Sequence, residues 1–450
     1  MTEHPWRLRG ILNNNSSNHP VESSSLPQLV APPGTIPRYA RPHCMRTHHP
    51  TLLIVVLGIL HALTPFTIDL YLPAFPEIAS DLGVAVSRMS LTVSVYFIGF
   101  AIGQIIYGPL LDRFGRQRPI YAGLAIYILA TIGCMLAKSF EALLIFRFIA
   151  ALGGSAASVG AITLVRDHFP PEKAARAFAM LMLVLSVSPL LAPSIGSLMV
   201  TTMGWRPLFA ALLGLAVIVL LLVVFAVPSS YVPDPSVRLG IGPILRTYRE
   251  TLAQPQFRTY TFAGSLSFAG LFVFVSGSPA VFMESFGLSA TAFGGVFALL
   301  AGGMISGGQL NHLLLRYSDS GRVFRTALNV QVIFGVALLT LSLTVGLGMW
   351  GTIALMFGFL VCAGVTYPNA AAMALAPFSK NIGSSSSLLG FIQLGTGATA
   401  AALVGLLDIP GALPMAVVMA TCSTTGWFVI KAASPPSTPA QETNASELGH

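Results

Sequence analysis

Twelve apolar runs, each close to the length a helix needs to cross a hydrocarbon layer, follow one another between residues 52 and 431. They fall at 52–73, 89–111, 120–138, 141–164, 178–200, 206–227, 260–282, 291–315, 324–345, 349–370, 384–407 and 411–431. Inside a bilayer each run must satisfy its own backbone, and a helix does so within one segment. Composition closes the soluble alternative. Hydrophobic residues make up 54% of the chain and charged ones 9%, against about 25% charged in soluble domains. The expectation is an all-α integral membrane protein with twelve transmembrane helices.

Charge placement orients these spans. With the N-terminus inside, the cytoplasmic turns hold Arg113, Arg116, Arg118, Arg166, Lys173, Arg176, Arg316, Arg322, Arg325, Lys380 and Lys431, plus Arg238, Arg246, Arg249 and Arg258. The opposite face holds Arg88, Lys138 and Arg206. This asymmetry predicts both termini in the cytoplasm. The net charge of +8 is spread over turns and is not a nucleic-acid signal. The proline-rich stretch 228–259 reads as a cytoplasmic central loop between two six-helix halves, 51–227 and 260–431. Residues 1–50, rich in Pro, Ser and Asn, and the tail 432–450 are expected to be disordered. Met45, just ahead of the first span, is expected to be a native or alternative start, and a peptide from residues 10–40 in the native protein would exclude that. Cys44, Cys134, Cys362 and Cys422 form no CxxC pair, so neither a disulfide framework nor a metal site is expected.

The turn after the second run, Gly108-Pro109-Leu110-Leu111-Asp112-Arg113-Phe114-Gly115-Arg116-Gln117-Arg118-Pro119, concentrates charge where charge is otherwise rare. Gly115 permits a backbone angle most residues avoid, and Asp112 offers an anion to several arginines. The segment resembles the G-x-L-x-D-R-x-G-R-[KR] loop of the major facilitator superfamily, with Arg118 one place late. Gly103-Gln104 in the second run is echoed by Gly308-Gln309 in the eighth, a trace of repeated halves. Asp112, Arg113, Arg116, Arg166 and Asp167 are expected to form a charge network that latches the inner gate, with Gly108 and Gly115 shaping the turn.

Ionisable groups inside the runs are costly unless they face a cavity or a partner. Asp69 in the first run and Arg147 in the fourth both lie within roughly 10 Å of the outer face, at 1.5 Å per helical residue. Asp69 is expected to take and release a proton beside Arg147, with a bracing ion pair as the alternative. His61, eight residues earlier and beyond Pro65, is a second candidate for proton handling or substrate contact. His312 reads as an interfacial residue. In the fifth run Pro189, Pro193 and Gly196 resemble the drug-antiporter motif, although Ala192 and Ser197 replace two of its glycines.

A closer resemblance rests on several stretches. They are Asp69-Leu70-Tyr71-Leu72-Pro73-Ala74, Arg147-Phe148-Ile149-Ala150-Ala151-Leu152-Gly153-Gly154, Val165-Arg166-Asp167, Gly204-Trp205-Arg206, Ser276-Gly277-Ser278-Pro279, Tyr367-Pro368-Asn369-Ala370, Ala374-Leu375-Ala376-Pro377 and Ser386-Ser387-Leu388-Leu389-Gly390-Phe391-Ile392-Gln393. Together they resemble the Bcr/CflA drug-efflux family of the same superfamily, over residues 50–430. The resemblance implies a major facilitator fold in a bacterial inner membrane and export of drugs such as bicyclomycin and chloramphenicol in exchange for protons. The chain departs from the family at Ala150, where Gln is usual, and at Ile162, where Arg is frequent.

The mechanism expected is alternating access by a monomer, driven by the proton gradient with no cofactor. Its partners are protons, membrane lipids and small amphipathic drug-like substrates. Tyr71, Tyr96, Phe272, Phe274 and Tyr367 are the aromatic candidates for the substrate cavity, chosen by span position. An enzyme is not expected, since the chain has no HExxH, GxSxG or P-loop. The competing expectation is a proton-linked exporter of an endogenous metabolite.

Overall fold

The computed structural model describes residues 50–169, 171–228, 241–344, 346–378, 382–407, 409 and 411–433. The terminal stretches expected to be disordered lie outside the described residues, apart from Pro50, Ala432 and Ala433. Every regular element described is a helix. The first half contains α1 (Pro50–Asp69), the short α2 (Phe75–Leu82), α3 (Ser90–Phe114), α4 (Gln117–Met135), α5 (Phe140–His168), α6 (Pro171–Met203) and α7 (Arg206–Ala226). Then come α8 (Ile241–Ala253) and the second half: α9 (Pro255–Pro279), α10 (Ala290–Leu314), α11 (Ser320–Thr344), α12 (Met349–Leu375), α13 (Ile382–Leu406) and α14 (Leu413–Ala432).

Among the described residues, 11 helical segments are long and apolar enough to cross a membrane. The 33-residue α6 completes the twelve, with Val187–Met203 as its described apolar part. Each coincides with one of the runs read from sequence. The first run differs most. Its helix stops at Asp69, and a 3-10 turn at Leu72–Ala74 leads into α2 along the end where α3 starts.

Helix ends follow local chemistry. The Ser139 hydroxyl accepts from the Ala142 N–H (3.2 Å) and Ser289 from Ala292 (3.2 Å), capping α5 and α10. Asp319 accepts from the Arg322 N–H (3.1 Å) at the start of α11. That hydrogen bond and the neighbouring Arg322 cation hold its carboxyl below the usual range. The charged turn after α3 is as tight as its sequence demands. Gly115 has φ 83°, and α4 begins two residues later at Gln117.

Apolar lipid gives helices little reason to associate, so close approach and buried polar bonds decide the packing. α3 crosses α5 where a Cβ on Gly103 would lie 2.0 Å from the Ser155 hydroxyl. The matching crossing of α10 and α12 is made by Gly307, whose Cβ would lie 2.1 Å from the Val361 carbonyl oxygen. The close approach thus falls one residue before the Gly308-Gln309 echo; a Cβ on Gly308 meets open space. Buried polar bonds brace the second half. Ser267 donates to Gln331 (2.6 Å) and shares a hydrogen bond with Thr366 (2.7 Å), while Asn369 donates to Asn311 (2.5 Å).

The halves meet at the end where α3 starts. Ser90 donates to the Ser276 carbonyl (2.9 Å) and Ser94 to the Ala398 carbonyl (2.7 Å). Phe97 meets Phe272 edge-on at 4.5 Å. One hydrophobic cluster runs across this seam, whereas separate clusters fill each half toward the other end. Beside the seam, Asp81 of α2 accepts from Trp205 Nε1 (3.1 Å) and pairs with Arg206 (3.0 Å), so Gly204-Trp205-Arg206 anchors α2 to the turn between α6 and α7.

Candidate functional site

Arg147 is the largest fully buried side chain among the described residues, with 0% exposure. Its Nη1 donates to the Thr67 carbonyl oxygen (3.0 Å). Its guanidinium carbon lies 4.1 Å from the ring centre of Tyr71 and 4.5 Å from that of Tyr96. Among the described residues Arg147 Nε and Nη2 make no hydrogen bond of good geometry, nor does the Tyr96 hydroxyl. A cation in such a place is held by ring faces and a carbonyl instead of by an acid.

Thr67 is the keystone of this cage. Its hydroxyl bonds to the Leu63 carbonyl oxygen (2.6 Å) and to the Tyr127 hydroxyl (2.6 Å), while its own carbonyl receives Arg147. The Tyr71 hydroxyl is held by Thr92 Oγ1 (2.6 Å). Thr67 and Tyr127 were not legible as site residues. The only trace of Thr67 is its position two residues before Asp69.

Asp69 ends α1 and is 4% exposed. No hydrogen bond or ion pair to it is found among the described residues. The ion pair with Arg147 considered from sequence is therefore absent, because the arginine spends its contacts on Thr67 and the two tyrosine rings. Asp69 closes α1 and Arg147 lies in α5, and no ion pair joins them. His61 also lies between these helices, buried, with Nδ1 3.3 Å from the Ser158 hydroxyl.

The aromatic candidates divide. Tyr71, Tyr96 and Phe274 are fully enclosed in this conformation. Tyr71 and Tyr96 face Arg147, and Phe274 stacks on Phe297 at 4.7 Å within the second half. Phe272 lies in the seam against Phe97. Tyr367 is 40% exposed and stacks on Phe268 at 4.4 Å. A small cluster of Tyr96, Phe100 and Ala151 reaches Ile68 and, from the other half, Leu394, so apolar side chains of both halves converge beside Arg147. The departure at Ala150 is buried in the apolar core of the first half, and Ile162 is half-buried.

The three residues singled out in α6 make two close contacts. A Cβ on Gly196 would lie 1.9 Å from the Leu70 carbonyl oxygen, so α6 and the end of α1 touch backbone to backbone. Pro193 presents its carbonyl to Gly294 of α10, where a Cβ would sit 3.5 Å away. Pro189 and Pro193 both lie inside the helix, where each removes a backbone N–H from the ladder. One stretch of α6 thus touches the segment carrying Asp69 and the opposite half.

At the other end, Arg116 pairs with Asp112 (2.5 Å) and with Asp167 (2.6 Å). Burial works against its cation, but the hydrogen bonds to Asp167 and Asp112 prevail and raise its pKa above the ordinary arginine value. Among the described residues neither Arg113 nor Arg166 joins these pairs; Arg113 lies over the Phe114 ring and Arg166 is exposed. The network is thus smaller than expected, and its pairs join the α3–α4 turn to the end of α5, both in the first half. A Cβ on Gly108 meets open space.

Comparison with known proteins places these features. The model of the Major Facilitator Superfamily matches residues 57–403. A bicyclomycin resistance protein homolog of Haemophilus influenzae is 31% identical over 372 residues, covering 82% of this chain and 93% of its own. The multidrug resistance protein MdtL of Escherichia fergusonii is 30% identical over 335 residues, covering 74% of this chain and 83% of its own. Among solved structures, a D-xylose-proton symporter superposes with a TM-score of 0.68 at 13% identity, over 85% of this chain and 98% of that one. A bacterial homolog of the human lysosomal transporter Spinster, inward-facing and unoccupied, gives 0.64 at 16% identity, over 85% of this chain and 95% of its own. The chain is thus a multi-pass bacterial membrane protein and a transporter, not an enzyme. A family model spanning most of the chain, with the Haemophilus relative along nearly its whole length, establishes that the protein belongs to the major facilitator superfamily and, within it, to the Bcr/CflA family.

Proposed function

We propose that the protein exports small amphipathic drug-like molecules from the cytoplasm in exchange for protons, by alternating access between its two halves. The observation that carries this reading is Asp69: a carboxyl enclosed at the end of α1, without a partner among the described residues, one residue from the contact that α6 makes with Leu70. A group so placed can change charge without breaking a bond, and its change acts on the helix that also touches α10. Relatives named for bicyclomycin and multidrug resistance support drug-like cargo. Arg147, caged by Tyr71 and Tyr96, keeps a fixed positive charge on α5 against the Thr67 carbonyl, and His61 is a second proton-handling group.

The halves are joined by hydrogen bonds at the end where α3 starts, which the charge asymmetry assigns to the outside. The reading is therefore of an outwardly closed state, ready to load from the cytoplasm along Tyr367, Phe272 and the Tyr96–Phe100–Leu394 cluster. Proton entry at Asp69 from outside and cargo entry from inside each favour a different conformation, and that difference is the coupling. Asp112, Arg116 and Asp167 keep the inner turn rigid within the first half. The transporter acts as a monomer with both termini cytoplasmic, and the proton gradient is its energy source.

Export assayed in cells with and without the gene, each with and without an uncoupler, tests the reading. Uncoupler-sensitive removal of several unrelated drugs is expected. Export of one endogenous metabolite, with no drug moved, would replace it with the metabolite-exporter reading.

A further inference from the structure

On the surface of the second half, α11 and α14 form a notch of about 220 Å³ lined by Arg325, Leu328, Asn329, Trp427, Ile430, Lys431 and Ala433. Two of its walls are cations, and no acidic side chain lines it. Neither Arg325 nor Lys431 has an ion pair among the described residues; the neighbouring acid, Asp319, is taken by Arg322 (3.2 Å). The floor is built. Trp427 Nε1 donates to Asn329 Oδ1 (2.7 Å), which fixes the indole plane, and Lys431 Nζ lies 5.4 Å from the ring centre.

The location matters as much as the charge. Arg325 lies in the second turn of α11, and Lys431 lies in the last turn of α14, so both stand at the same end of neighbouring helices. A tryptophan one turn deeper than a lysine is the arrangement of a membrane–water boundary. Phe428, next to Trp427, and Ile333, about two turns deeper than Arg325, expose their side chains on the same two helices, offering apolar surface to acyl chains. A cationic notch at headgroup depth, continued by a greasy face, matches an anionic phospholipid better than a soluble anion, which has no use for that face.

We infer that the notch between Arg325 and Lys431 is a binding site for the phosphate headgroup of an anionic phospholipid, with Trp427 as its floor. Arg325 and Lys431 hold the phosphate, and the chains run down over Ile333 and Phe428. The site is independent of substrate and proton handling.

Native mass spectrometry of the full-length protein, titrated with palmitoyl-oleoyl phosphatidylglycerol or phosphatidylcholine, tests it. The double variant Arg325→Gln/Lys431→Gln should bind phosphatidylglycerol about 30-fold more weakly, taking the general contribution of two basic groups at a charged leaflet. Phosphatidylcholine binding should not change. The charge-preserving pair Arg325→Lys/Lys431→Arg should keep phosphatidylglycerol. If the double variant fails to fold, salt on the wild-type protein decides: phosphatidylglycerol binding must weaken with ionic strength while phosphatidylcholine binding does not. Unchanged phosphatidylglycerol binding in the double variant overturns the inference. So does equal loss of both lipids, which would mark a greasy groove without headgroup recognition. Displacement of phosphatidylglycerol by inorganic phosphate at equal concentration would mark a soluble-anion site instead.

Discussion

A methyl group on Gly196 has nowhere to go. Its carbon would lie 1.9 Å from the Leu70 carbonyl oxygen and 2.9 Å from the carbonyl carbon. An ordinary carbon–oxygen approach is about 3.3 Å, so α6 and the end of α1 must separate by about 1.4 Å. Both obstructing atoms are backbone, and neither can swing aside as a side-chain tip would. Overpacking of this kind costs about 1–3 kcal/mol. If the penalty falls on the conformation containing this contact, populations shift by about 5- to 150-fold. Gly294→Ala is the internal control. It lies on the other side of the same stretch of α6, and its new carbon would be 3.4 Å from Ser194 Cα, an ordinary contact. Initial rates of uncoupler-sensitive drug export in everted vesicles, with melting measured on purified protein, compare the two. Gly196→Ala should lose at least about fivefold in rate while Gly294→Ala stays close to wild type. Wild-type rate and melting for Gly196→Ala, or equal damage from both, would refute the reasoning.

Other expectations follow from the same geometry. Asp69→Asn should abolish the uncoupler-sensitive part of export while shifting stability by less than about 1 kcal/mol, because the carboxylate has no bond to lose; disappearance of the protein from the membrane would point to bracing instead. Arg147→Met removes a charged hydrogen bond and two ring contacts but also relieves a buried cation, so stability should move by no more than about 2 kcal/mol while transport is lost; denaturation curves beside transport rates read both. Arg116→Lys should destabilise by about 1–2 kcal/mol, since an ammonium cannot serve Asp167 through Nε and Asp112 through Nη1 with the same fork; urea unfolding in detergent measures it. The pKa of Arg116 is raised, so its contribution is complete at all lower pH and lost only as pH climbs through that raised value. Its pairing should therefore leave melting flat between about pH 7 and pH 9, as scanning calorimetry would show.

Much of the fold was legible because a bilayer allows so few solutions. Runs of apolar residues punctuated by charge specify helix number and approximate ends, and Gly115 could be read as a turn residue from its neighbours alone. Arg147 and Asp69 stood out because ions are rare in such runs. What each of them touches was not legible. The bracing ion pair weighed as an alternative is absent, because the guanidinium is held by the Thr67 carbonyl and the Tyr71 and Tyr96 rings. Span position gives the depth of Phe274, while its facing direction depends on how α9 is rotated against α10.

The sequence by itself determined that this chain lies in a membrane, in helices of a given number and order, with charges at their ends. Those properties follow from the solvent and from local backbone chemistry. Only the tertiary structure decided that Arg147 is caged by aromatic rings, that Gly196 and not another small residue meets Leu70, that the second crossing uses Gly307, and that Arg325 and Lys431 share one notch. Each of these depends on the rotation and crossing of whole helices. That arrangement is fixed by contacts between residues far apart in sequence, and a linear pattern carries no direct record of them.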